Sequence, residues 1–227
     1  MLSLCVEWEW IDRVPKLQRF EEPDVRVRWE PPEVIMKMIN ALRIPWMRDA
    51  AVVAVATGMR ESELFGLRVS QIDLAQCNAW ITHEGAKSKR ARSVPLNQDS
   101  MSVLERHAET ATDLVFTREF TRGDGPPKLI GQIDKRDFAR ACKEAGMVDF
   151  HRHDLRHTWA SWHVRRGTPL MVLKELGGWE TIAMVQKYAH LAPSHLAQHA
   201  GTVTFWAQSG GEKQKAPLSE AAQSLAA

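Results

Sequence analysis

The chain has 227 residues, of which 44% are hydrophobic and 26% charged. That composition excludes wholesale disorder and fits one large domain or two small ones. The net charge of +2 is too small to name a nucleic-acid partner by itself, so only the placement of charge can argue for one. No apolar run reaches the roughly 18 residues of a membrane span, and the opening MLSLCVEWEWIDR has no basic start before its acids, unlike a signal peptide.

Read in order, VEWEWIDRVP has the pattern of an amphipathic helix end stopped by Pro15, and KLQRFEEPDVRVRWE that of an extended, charged connector. Residues 1–30 are thus expected to be the last helix and linker of a preceding unit, residues 31–207 a catalytic domain, and 208–227 a flexible tail of mobile composition. Pro31, Pro32 and Glu33 suit a first helical turn, and Val34, Ile35, Met38 and Leu42 follow at helical spacing. A nearly all-apolar helix over about 46–57 stops at Gly58, and a short helix restarts over 61–67. Ala79–Thr82 and Arg92–Leu96 alternate in polarity around a turn holding Gly85, which predicts a β-hairpin. Helices are predicted near 98–110, 131–146, 153–166, 169–177, 181–190 and 193–207. The fold class is therefore mainly α with a small antiparallel β-sheet. Three cysteines far apart, Cys5, Cys77 and Cys142, fit plain thiols in a reducing cytoplasm.

Four segments concentrate chemistry. TGMRESEL places Arg60 straight after a buried helix and a glycine; the plain alternative is a surface arginine at a helix start. GAKSKRAR puts Lys87, Lys89, Arg90 and Arg92 on the hairpin turn with no acid among them, a phosphate-facing turn or a solvated one. HRHDLRHT aligns His153, Arg156 and His157 on one helix face. Two histidines four apart can ligate zinc, but a permanent cation among them opposes a metal, and an arginine fork with histidine donors suits an anion. The last segment, LGGWETIAMVQKYAHL, holds Trp179 and, nine residues on, Tyr188, the chain's single tyrosine. A lone tyrosine is ordinarily a packing residue, yet every other aromatic position here is Trp, Phe or His.

In this order the four segments resemble those of the tyrosine recombinases, the phage integrase family, over about residues 31–205. The resemblance implies a tyrosine recombinase catalytic-domain fold. ATGMRESEL is similar to the family's first arginine box, which implies Arg60 as a catalytic arginine supported by Glu63. HDLRHT is similar to the second box, implying His153 and Arg156. Trp179 stands where the family has His or Trp, and KYAHL resembles the nucleophile box, implying Tyr188. The hairpin turn resembles one whose lysine enters the site; Lys87 matches best, with Lys89 the alternative. Lys89, Arg90, Arg92 and Arg152 are then expected on the DNA. Family members carry a separate DNA-clamping domain ahead of the catalytic one, and about thirty residues stand in its place here.

The implied function is site-specific DNA recombination through a 3′-phosphotyrosine, without metal or other cofactor, by a cytoplasmic protein that acts on double-stranded DNA as a tetramer and touches no membrane. In that chemistry the arginines stabilise phosphorane charge, Trp179 and His153 add donors, His153 takes the phenol proton, and Lys87 protonates the leaving 5′ oxygen. The rival expectations are a related type IB topoisomerase, a truncated DNA-binding remnant without efficient catalysis, and a zinc hydrolase built on His153 and His157.

Overall fold

The computed structural model describes residues 2–15, 27–82, 91–111, 113–118, 128–130 and 133–192. The expected helix over 193–207, the tail and the hairpin turn with Lys87, Lys89 and Arg90 lie outside the described residues. The N-terminal helix α1 (Leu2–Glu7) ends sooner than expected, and bends follow to residue 13. The elements then follow in order: α2 (Pro32–Ala41), α3 (Pro45–Thr57), α4 (Glu61–Phe65), β1 (Ile72–Asp73), β2 (Asn78–Ile81), β3 (Arg92–Pro95) and α5 (Gln98–Thr110). The short strands β4 (Thr117–Arg118) and β5 (Lys128–Leu129) precede α6 (Lys135–Glu144), α7 (Asp154–Arg165), α8 (Leu170–Gly177) and α9 (Ala183–Gln186).

α3 is the central post. It packs on α5 and α7, and also meets α2 and α4. One face supplies Ala50 and Val53 to a core shared with Leu64, Phe65, Ile81, Val94 and Phe116; another supplies Met47, Ala51 and Val55 to a core shared with Ile35, Met38, Phe138 and Leu155. A helix buried on two faces must be apolar nearly all round, which explains its sequence. It stops where Gly58 turns left-handed at φ +65°, and a Cβ there would come within 2.3 Å of the Trp159 ring. α7 is likewise buried along most of its length, from Leu155 to Ser161.

Side chains fix the starts of α5 and α6. Asn97 accepts from the Ser100 amide at 3.0 Å, and Asp134 accepts from the amides of Arg136 and Asp137. Asp137 in turn accepts from the Arg43 amide at 2.9 Å, tying α6 to the α2–α3 connection. The sheet order is β1-β2-β3, antiparallel throughout, with Ala79 opposite Val94 and Ile81 opposite Arg92. The sequence pattern foresaw β2 and β3 but neither the flanking β1 nor the β4–β5 pair, whose two-residue strands are too short to show alternation. Among the described residues, no helix is long and apolar enough to cross a membrane.

Candidate active site

The end of α8 organises the site. The last carbonyls of a helix have no intrahelical donor and carry its partial negative charge. Three arginines from distant parts of the chain take three successive ones. Arg92 donates through Nη1 to the Leu176 carbonyl at 2.8 Å, Arg156 through Nη2 to that of Gly177 at 2.6 Å, and Arg60 through Nη2 to that of Gly178 at 2.9 Å. Arg156 donates also to the Gly58 carbonyl, so the two glycine-ended helices α3 and α8 are joined through one guanidinium.

Glu63 anchors the arginines from the other side. Its side chain is fully buried. Oε1 accepts from Arg60 Nη1 at 2.8 Å, while Oε2 accepts from the Arg60 amide at 2.8 Å and from Arg92 Nη2 at 2.7 Å. Burial acts to raise its pKa, but Arg92 and then the Arg60 amide and guanidinium outweigh that and hold the carboxyl below its ordinary value. Three guanidiniums against one carboxylate leave two positive charges uncompensated. Burial, and then Arg60 and Arg92, push Arg156 down to about 9, still far enough above neutral to stay charged.

The Arg156 guanidinium lies over the Trp179 ring at 4.2 Å, and that ring sits 6.0 Å from the ring of Tyr188. Tyr188 does not lie on a helix as predicted: α9 ends at Gln186, and Tyr188 occupies the turn before a 3-10 segment, Ala189–Leu191. It is wholly buried against Trp159, Leu173 and Val185. Its hydroxyl and His157 Nδ1 share a hydrogen bond of 2.5 Å. Burial raises the Tyr188 pKa, against a lowering pull from Arg156. His157 is pushed down to about 3, first by burial and then by Lys187, His153 and Arg156, so the imidazole is neutral.

His153 directly precedes α7, its ring edge-on to that of His157 at 4.9 Å. His153 is exposed, yet lost hydration, followed by Arg156 and Lys187, lowers its pKa. Lys187 places Nζ 5.2 Å from the centre of the Tyr188 ring.

Arg60, Glu63, Arg156, Trp179 and Tyr188 are thus brought into one cluster, with His153 at its edge. Two expected DNA contacts stand differently. Arg92 turns inward and is 10% exposed, because Glu63 and the α8 carbonyl both draw it from the phosphate-facing side. Arg152 is exposed but paired with Glu61 at the start of α4. Residue-pattern reasoning missed His157 as the partner of Tyr188, although it stands one position after Arg156. Its spacing from His153 and Arg156 suggested a metal pair or an anion-binding face, not a bond to a tyrosine 31 positions on. Among the described residues no group of three His, Cys, Asp or Glu stands close enough to hold a metal ion.

The family model described as the phage integrase family matches residues 30–195. The chain is 38% identical over 200 residues to the integrase of Salmonella phage P22, covering 86% of this chain and 51% of that protein. It is 32% identical over 170 residues to the tyrosine recombinase XerC of Lactobacillus delbrueckii subsp. bulgaricus, covering 71% of this chain and 57% of that protein. Among solved structures, the catalytic domain of bacteriophage HP1 integrase superposes with a TM-score of 0.56 at 25% identity, over 81% of this chain and 98% of that one. The chain spans about half the length of the curated relatives it matches.

Proposed function

Because the chain belongs to the phage integrase family, we propose that it cuts and rejoins double-stranded DNA at specific sites through a 3′-phosphotyrosine on Tyr188, in the cytoplasm and as a tetramer on the DNA. Residues 31–207 would be the catalytic unit. The observation that supports this reading best is the convergence of Arg60 and Arg156 on the end of α8 beside Trp179 and Tyr188.

Each guanidinium has five N–H donors, and the protein uses two side-chain donors of each. The remainder can bind non-bridging phosphate oxygens and meet the charge that grows on them as the phosphorane forms. The Tyr188 oxygen attacks the scissile phosphorus, and the bond to the 5′ oxygen breaks. His153, neutral because its pKa is lowered, accepts the phenol proton. Lys87, or Lys89 in its place, gives a proton to the departing 5′ oxygen. A 5′ hydroxyl from a second strand reverses the step, so the bond energy is kept and no nucleotide cofactor is needed. Lys89, Arg90 and Arg152 would neutralise flanking phosphates.

The test is covalent trapping. A library of nicked suicide duplexes with randomised arms loses its leaving strand on cleavage, and the protein–DNA adduct survives denaturing electrophoresis. The reading expects an adduct linked through residue 188 and undiminished by a chelator. Binding without an adduct on any duplex would contradict it.

A further inference from the structure

Arg92 has a role that its place on a basic hairpin conceals. Its guanidinium spans two acceptors from different parts of the chain, Glu63 Oε2 at 2.7 Å and the Leu176 carbonyl at 2.8 Å. Gly178 makes this possible. Its backbone is left-handed at φ +64°, and a Cβ there would lie 2.5 Å from Arg92 Cδ and 2.6 Å from Nε, so the arginine lies flat against bare backbone. Among the described residues Arg92 Nε is buried without a partner, which fits a side chain placed for what its two terminal nitrogens hold.

The Glu63 carboxylate divides its work. One oxygen faces the Arg60 guanidinium; the other takes Arg92 together with the Arg60 amide. Without Arg92 that second oxygen would keep only the amide, and the carboxylate would be free to rotate away from Arg60. The Leu176 carbonyl would lose its donor next to the two carbonyls that seat Arg156 and Arg60.

Resting on the recombinase reading above, we infer that Arg92 is a positioning residue: it fastens the start of β3 to the end of α8 and holds Glu63 in the orientation that presents Arg60, and it does not bind a DNA phosphate. A lysine cannot replace it fully, because a single ammonium lacks the planar fork that spans both acceptors.

The experiment compares Arg92→Gln and Arg92→Lys with the unmodified protein in single-turnover cleavage of the suicide duplex at saturating protein, alongside DNA affinity against salt. For Arg92→Gln the expected result is a loss of about 100-fold in cleavage rate. Affinity should stay within about twofold, and the slope of log affinity against log salt should not change. Arg92→Lys should recover part of the rate. Combined with Glu63→Gln, Arg92→Gln should cost less than it does alone, since the two residues act as a unit. Unchanged cleavage with weaker binding and a slope shallower by about 0.9 would make Arg92 a phosphate contact and overturn the inference. A DNA-free readout covers the remaining outcomes. Glu63 faces Arg60 just before its own helix, Arg92 from β3 and Arg156 from α7, so its carboxyl titration, followed by carbon NMR, should move upward in Arg92→Lys, and in Arg92→Gln if that variant folds. If the unmodified protein forms no adduct, the recombinase reading fails, and this titration alone decides the clamp: an unmoved Glu63 overturns it.

Discussion

The Tyr188 hydroxyl and His157 Nδ1 lie 2.5 Å apart, and neither residue has more than 7% of its surface exposed. The phenol is raised and the imidazole lowered in pKa, so the pair is held neutral in the DNA-free protein. His157→Ala would strand a buried hydroxyl, at about 1–3 kcal/mol of stability. His157→Gln keeps a polar partner and should lose less. Urea unfolding midpoints of the two variants check the order; equal losses would mean that the hydrogen bond contributes nothing.

The same histidine sets a pH dependence. Between its ordinary value of 6.5 and about 3, the unfolded chain binds a proton that the folded chain refuses. Stability is therefore fully present above about pH 6.5 and falls with decreasing pH, at up to about 1.4 kcal/mol per unit. His153 and His163, also lowered, act in the same direction. Glu63 and Asp137 are held below their ordinary values, so their contribution is lost only at lower pH. The expected outcome is a fall in unfolding midpoint between pH 7 and pH 5 that flattens in His157→Gln. An equal fall in the variant would assign the effect elsewhere.

Glu61 neutralises Arg152 in the free protein. A phosphate would compete with that carboxylate, whose pKa burial raises against the pull of Arg152. Glu61→Gln should therefore tighten DNA binding several-fold and steepen its salt dependence by up to about one phosphate contact, a slope change near 0.9. Arg152→Ala should weaken binding. Fluorescence anisotropy over a salt series measures both, and unchanged affinity in Glu61→Gln would remove Arg152 from the DNA interface.

Gly58 joins two constraints, a left-handed backbone and a Trp159 ring that a Cβ would strike at 2.3 Å. The carbonyl it offers also seats Arg156. Gly58→Ala should destabilise by more than the roughly 1–2 kcal/mol of the backbone conformation alone, lowering the thermal midpoint by several degrees. A midpoint within a degree of the unmodified protein would contradict the packing described.

What the sequence revealed, and what it withheld, divides by distance along the chain. The stop of α3 at Gly58 is local and was read directly, whereas the Arg60–Glu63 pair, though only three residues apart, came from the family resemblance. The strands of the hairpin showed as alternation. Arg92 reaches Leu176 across 84 positions and His157 reaches Tyr188 across 31, and no spacing rule encodes either meeting. α7 is buried on most sides, so periodicity could not say which way each of its residues points. Tyr188 left its predicted helix because α9 ends at Gln186, after a single turn.

Whether Tyr188 is the nucleophile is decided by the suicide-duplex adduct in Tyr188→Phe. The substitution removes one oxygen and keeps the ring in its buried seat. It leaves His157 Nδ1 without its partner, so a stability loss of about 1–3 kcal/mol is expected while the fold persists by circular dichroism. An adduct is expected with the unmodified chain and none with Tyr188→Phe, at similar DNA affinity. An adduct of undiminished yield in Tyr188→Phe would contradict that assignment.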